Sequence, residues 1–274
     1  MIDLFWFSRH HLKRDDVINF GDELSKFVVE NISGKKVNWV NPLKQSFFSK
    51  TFRKNYLAIG SILHFGAKNS RVWGSGLIDT KIKAPNAKYY AVRGRFTRKE
   101  LLNRGFKVPD VYGDPGLLTP LYYKNENTSK KYVLGIIPHY LEIEEILEQS
   151  RSLNLSSEIK IINLRNDIKT VLEDILSCES IVSSSLHGII VPQAYDIPTL
   201  RIEFSDKVIG DGIKFNDYFD SVGIDYYDPL FINWKNVNLK SLMSYVQTNS
   251  KHSRIKKDLI NIQDELINAC PFQK

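Results

Sequence analysis

Short apolar runs alternate along this chain with longer segments whose apolar residues recur every three or four positions. Ile2–Ser8, Tyr56–Ile59, Arg71–Trp73 and Lys88–Val92 read as strands. After Asn19-Phe20-Gly21-Asp22-Glu23 the stripe Leu24, Phe27, Val28 predicts a helix, with Gly21 or Asp22 near its N-cap. A helix over Arg98–Asn103 stops at Gly105. From Lys124 to Lys131 the chain is polar and aperiodic, as a linker is. The alternation then restarts, with a strand at Tyr132–Ile137, a helix at Glu142–Ser152 and a strand at Ile159–Leu164. Ile168, Val171, Leu172, Ile175 and Leu176 form a helix face, and Ile181–Val182 and Thr199–Ile202 are strands on either side of a further helix. Pro192 falls inside that last helix and is expected to kink it. Two C-terminal stripes, Leu239, Leu242, Met243, Val246 and Ile255, Leu259, Ile262, Leu266, read as packing faces.

This rhythm predicts an α/β fold of two doubly wound domains facing each other across a cleft. The boundaries fall at 1–124, a linker at 125–131, a second domain at 132–236 and C-terminal helices at 237–274. A chain of 274 residues can bury two cores, and 42% hydrophobic with 25% charged residues is a globular composition. Two cysteines supply neither a disulfide framework nor a metal set, which fits a reducing cytoplasm. No apolar run approaches the roughly 18 residues of a membrane span, and Met1–Phe7 is too short for a signal core. The net charge of +7 suggests an anionic partner without identifying one, and a solvated basic surface with no role is the common alternative. Scattered lysines, without zinc-finger spacing or an RNA-binding sheet signature, argue against nucleic acid and leave a phosphorylated substrate or an acidic membrane surface.

Candidate chemistry is densest between Ile181 and Leu200. Strand, Ser183-Ser184-Ser185 turn and helix in that order bring unpaired N–H groups and a positive helix end to one place, an anion site. Ser185 is the expected N-cap, Gly188 allows close approach, and His187 sits in the first helical turn where it can move a proton. Singly these are capping serines and a structural histidine; the unit as a whole reads as functional. Arg93, at a strand end, offers a planar fork to a carboxylate or phosphate. Gly60-Ser61 and Gly74-Ser75-Gly76 follow two other strands, Asp22 reads alone as a helix cap, and Asp114 as a turn initiator.

Six stretches together resemble the polysaccharide pyruvyl transferase family: N-F-G-D-E-L (19–24), A-I-G-S-I-L (58–63), V-W-G-S-G (72–76), V-R-G-R-F-T (92–97), G-D-P-G-L-L (113–118) and S-S-S-L-H-G-I-I (183–190). The likeness spans about residues 19–207; Ser185 stands where some members carry Arg before the Leu-His pair. The resemblance implies a GT-B-like fold of two Rossmann-type domains, the first on the acceptor side and the second holding the donor phosphate. It implies transfer of a pyruvyl group from phosphoenolpyruvate onto two hydroxyls of a sugar, giving a cyclic ketal, with no separate cofactor and no metal. His187, Asp22 and Asp114 are then the expected catalytic residues. Arg93, Gly60, Ser61, Gly74, Ser75, Ser183, Ser184, Ser185, Leu186, Gly188 and Lys207 are the expected substrate-binding ones. The implied acceptor is a cell-surface polysaccharide sugar or a lipid-linked oligosaccharide, met in the cytoplasm at the inner membrane face, with peripheral contact to anionic lipid. The residues suit this chemistry: protonating the methylene carbon of phosphoenolpyruvate makes an oxocarbenium-like centre open to a hydroxyl, and a histidine can supply that proton. Two alternatives stay open. One is a sugar-nucleotide-dependent glycosyltransferase, with Glu203 as its ribose carboxylate, and the other a non-catalytic glycan- or phosphate-binding protein.

Overall fold

The computed structural model describes residues 1–46, 48, 53–125, 129–151, 155–208, 210–234 and 237–272. The first half runs β1 (Ile2–Phe5), α1 (Phe20–Ser33), β2 (Val37–Trp39), β3 (Asn55–Leu57), β4 (Ser70–Trp73), β5 (Lys88–Ala91), α2 (Arg95–Asn103) and the short α3 (Thr119–Tyr122). The second runs β6 (Tyr132–Ile137), α4 (Ile143–Arg151), β7 (Ile159–Ile161), α5 (Ile168–Leu176), β8 (Cys178–Ser183), α6 (His187–Ala194), β9 (Thr199–Glu203), α7 (Ile213–Val222) and β10 (Leu230–Phe231). Two helices follow, α8 (Leu239–Thr248) and α9 (Leu259–Asn268). Residues 126–128 of the expected linker lie outside the described residues.

Each half forms a five-stranded, wholly parallel sheet, ordered β2-β1-β3-β4-β5 and β10-β9-β8-β6-β7. Counted from its own first strand, the first sheet reads 2-1-3-4-5, the second common doubly wound order, and the second sheet, read from its β7 edge, gives the same order. Neither has the 3-2-1-4-5-6 order of the dinucleotide fold. In this order the strands diverge between the first and the third, so the crevices open where β1 meets β3 and where β6 meets β8.

The two sheets share a core. Leu4, Phe20, Leu24 and Trp73 from the first half belong to one buried apolar cluster with Leu134, Ile136, Val182 and Ile190 from the second. A smaller cluster, with Phe5, Leu57, Val72 and Leu101, completes the packing of the first half. All eight residues of α6 are buried and none of its faces is polar, which suits a helix enclosed by protein on all sides. Pro192 is accommodated within it, and the helix continues to Ala194. The last helix returns to the first sheet: Trp73 Nε1 donates to the Leu266 carbonyl at 2.8 Å, and Phe272 packs edge-on against Trp73.

α1 departs from expectation at its start. Asn19 is the extended N-cap residue, and its carbonyl accepts from the N–H groups of Asp22 and Glu23, so Asp22 lies inside the first turn. The helix ends at Gly34, whose φ of 65° is the left-handed conformation that closes helices with little strain.

Candidate active site

The chain leaves β8 at the second crevice and makes the serine turn there. Ser183 Oγ donates to the Ile137 carbonyl at 2.9 Å and accepts from the Ser185 N–H at 3.0 Å. Gly188 must be glycine for this turn to close, because a Cβ would collide with Ser183 Oγ and lie 2.8 Å from Ile137 Cγ2. Ser184 Oγ donates to Glu142 Oε2 at 2.6 Å and accepts from the His139 N–H at 2.8 Å, tying β8 to the segment after β6. Ser185 is not the N-cap expected from the sequence. Leu186 holds that place, already in helical conformation, and no side chain caps α6. Ser183 closes the turn two residues earlier, so no hydrogen bond among the described residues uses the N–H groups of Leu186, His187 or Gly188. Such donors at a helix start have no intrahelical partner.

His187 stands beside Asp114 and against Gly21 of the first half. Its Nε2 lies 3.5 Å from Asp114 Oδ2, and neither atom has a hydrogen-bond partner although both are buried. The other Asp114 oxygen accepts from the Gly116 N–H at 2.9 Å and so caps the 3₁₀ turn Pro115–Leu118 that packs on α6. One side chain thus starts a turn and aims an unpaired oxygen at the imidazole. On the opposite edge of the ring, Nδ1 lies against Gly21, where any Cβ would collide with it. Ser25 fixes that approach, since its Oγ both donates to the Ile59 carbonyl and accepts from the Ile59 N–H at 3.2 Å, pinning α1 to the end of β3. Asp22, one residue along, faces Gly60, where a Cβ would sit 4.0 Å from Asp22 Oδ1. Burial pushes the Asp22 carboxyl up to about 7, against the opposing pull of the 2.7 Å hydrogen bond from Asn19 Nδ2 and the nearby His187. Near neutral pH it can accept or give a proton.

The remaining expected site residues lie elsewhere. Arg93 does not offer its fork to a ligand: it is fully buried, with Nε on Asp217 Oδ2 at 3.2 Å, one terminal nitrogen on Ser61 Oγ at 2.6 Å and the other on the Leu77 carbonyl at 2.7 Å. A buried charge must be paired, and a carboxylate 124 residues further on does so. Ser61 is held by that arginine. Ser75 is also fully buried, donating to the Ala58 carbonyl at 2.8 Å. Gly74, at φ 87°, makes room for Pro115. Lys207 is half exposed and pairs with Glu145 Oε2 at 2.6 Å.

Three further residues at this end of the second sheet escaped the sequence reading. His139 follows β6, and its imidazole pKa is lowered to about 3 by burial and by Lys214. Glu142, 2% exposed, accepts from Ser184 and Ser205. Lys214, in the first turn of α7, is brought down to about 8 by burial and by the charges of Arg93 and Arg201. The Pro-His-Tyr at 138–140 directly after a strand was the available signal, and only the strand register makes it meaningful. Among the described residues no group of three or more His, Cys, Asp or Glu is arranged to hold a metal ion.

Beside Asp22, at the carboxyl end of β1, a cavity of about 590 Å³ opens among the 7–19 segment, α1 and residues 166–169. No helix among the described residues is long and apolar enough to cross a membrane.

Two wholly parallel five-stranded sheets, each with the doubly wound order, define an α/β protein. Comparison with known proteins agrees with that description: residues 19–206 match the polysaccharide pyruvyl transferase family, and the chain belongs to it. It is also similar to the uncharacterized protein L143 of Acanthamoeba polyphaga mimivirus, 32% identical over 222 residues that cover 79% of this chain and 74% of that one.

Proposed function

We propose that this protein is a ketal pyruvyltransferase that moves the pyruvyl group of phosphoenolpyruvate onto two hydroxyls of a sugar, in a cell-surface polysaccharide or its lipid-linked precursor. The observation that carries the reading is the buried His187, set between the unused N–H groups of α6 and the unpaired oxygen of Asp114. The donor anion is held at the start of α6 by the N–H groups of Leu186, His187 and Gly188, within a GT-B-like pair of domains. His187 gives its proton to the methylene carbon, and Asp114 Oδ2 supports the imidazolium before that transfer. Arg93 acts at one remove by holding Ser61 and joining the two halves through Asp217. The net charge of +7 supports work in the cytoplasm at the inner face of an anionic membrane, where a lipid-linked acceptor would be met.

A sugar-nucleotide-dependent glycosyltransferase is less well supported. Its expected ribose carboxylate, Glu203, is engaged by Arg201. The test is a melting experiment with each candidate donor. Phosphoenolpyruvate should raise Tm because it binds the native state, and UDP-, GDP- and CMP-sugars at equal concentration should not. A shift with a nucleotide sugar and none with phosphoenolpyruvate would overturn the proposal.

A further inference from the structure

We infer that a cavity at the carboxyl ends of β9 and β10 binds a neutral sugar ring of the acceptor glycan, next to the ring that receives the pyruvyl group. The inference rests on the proposed glycan acceptor and adds a sugar subsite in the second half, where the sequence reading placed only the donor phosphate. Phe204 and Ser205, which follow β9, and Ile232–Trp234, which follow β10, form one wall. Glu142 with Ile146 and Gln149 of α4 forms the other. The volume is about 330 Å³, at the small end of the roughly 300–1,000 Å³ usual for ligand sites, which suits a single ring.

The lining selects the class of guest. Trp234 meets Phe204 edge to face with centroids 5.5 Å apart, and Phe231 at the rim is 62% exposed. An aromatic ring left in water beside a cavity offers its negative face to the slightly positive C–H side of a sugar. Trp234 itself is buried, and its Nε1 has no hydrogen-bond partner among the described residues. A buried N–H without a partner is costly, and a sugar hydroxyl can accept from it. In a chain of net charge +7 this lining carries two carboxylates, Glu142 and Glu145, and no lysine or arginine. Phosphates are disfavoured beside such groups, whereas sugar hydroxyls can donate to them. Lys207, outside the lining, pairs with Glu145 Oε2 at 2.6 Å, and Gln149 Nε2 donates to the other oxygen at 3.2 Å, so this side of the rim is held before a guest arrives. Glu142 ties the cavity to the proposed donor site. Its Oε1 accepts from Ser205 at 2.5 Å and its Oε2 from Ser184 at 2.6 Å. One carboxylate is thus shared by the cavity wall and the serine turn before α6, which sets a bound ring beside the donor, as the next unit of a glycan would be.

The test reads the cavity directly. The chain has four tryptophans, so the indole N–H signal of Trp234 can be followed by nitrogen-edited proton NMR of the full chain and assigned with Trp234→Phe. Methyl galactoside, methyl glucoside, methyl mannoside and lactose are the probes. At least one should move that signal in a saturable way, and further than the signals of Trp6, Trp39 and Trp73. Phe231→Ala, at an exposed position, should weaken this binding by about 3- to 10-fold, the range of one aromatic contact. Gln149→Trp, which fills the cavity from α4, is the second variant and should abolish the movement. The phosphoenolpyruvate-induced rise in Tm should persist in both. No movement with any probe, or unchanged affinity in both variants, would overturn the inference. So would movement caused by uridine, guanosine or cytidine and by no glycoside, which marks a nucleoside pocket. If the phosphoenolpyruvate shift is intact in those cases, the donor reading stands and only the sugar subsite fails. Loss of the shift in the wild type fails the donor reading itself, and the glycoside titration still decides the cavity.

Discussion

Asp22 shows what burying a carboxyl costs a fold. Its carboxyl sits in the first turn of α1, where a helix start normally favours negative charge, yet burial raises it to about 7. An unfolded aspartate titrates near 3.9, so between about pH 4 and pH 7 the native chain holds a proton that the unfolded chain has released. Stability from this group is therefore full below the lower value and is lost as pH rises through the upper one. Asp22→Asn, which removes the charge and keeps an oxygen in place, should raise Tm at about pH 8 and leave it nearly unchanged at about pH 4. Melting curves at both pH values check this, and a variant that melts lower at the alkaline end contradicts the burial account. His187, by contrast, was legible as a candidate in the sequence because strand, serines and helix surround it. The hydroxyl that closes the turn was not legible, because which of three consecutive serines faces Ile137 depends on strand register.

At the scale of elements, the end of β5 and α7 are joined by the buried pair Arg93–Asp217, to which Thr97 adds its N–H at 2.9 Å and its hydroxyl at 2.7 Å. Neither carboxylate oxygen is left to solvent. Asp217→Asn would strand a buried guanidinium, and breaking such a pair costs about 3–5 kcal/mol. Denaturant unfolding should show a loss of that size, accompanied by reduced phosphoenolpyruvate turnover in proportion to the unfolded fraction. A loss well under about 1 kcal/mol would mean that Arg93 is not committed to Asp217 and is available to a ligand. The strand before Arg93 could be read from its apolar run; the partner could not. Long-range pairing leaves no local mark, and α7 was missed for a related reason. Its segment Ile213–Val222 mixes Lys214, Asn216 and Asp217 among its apolar residues, and the two charged ones are buried only through the tertiary packing around them. The segments that were readable, such as β6 and α5, are those whose burial follows from their own periodicity.

The whole molecule sets two parallel sheets around one shared core and brings the last helix back onto the first sheet. The Phe20 N–H donates to the Leu164 carbonyl at 2.8 Å, so the start of α1, with Asp22 in its first turn, is anchored to the second half. The groups proposed to handle protons therefore come from both halves: Asp22 and Asp114 from one, His187 from the other. That convergence is the central claim, and kinetics on His187→Gln tests it most directly. Melting temperature, phosphoenolpyruvate binding and phosphate release with a competent sugar acceptor are to be measured on one preparation of wild type and variant. The expected variant melts like the wild type, still binds phosphoenolpyruvate, and releases phosphate slower by about 10²–10⁴. A stable His187→Gln protein with full phosphate release would contradict the claim.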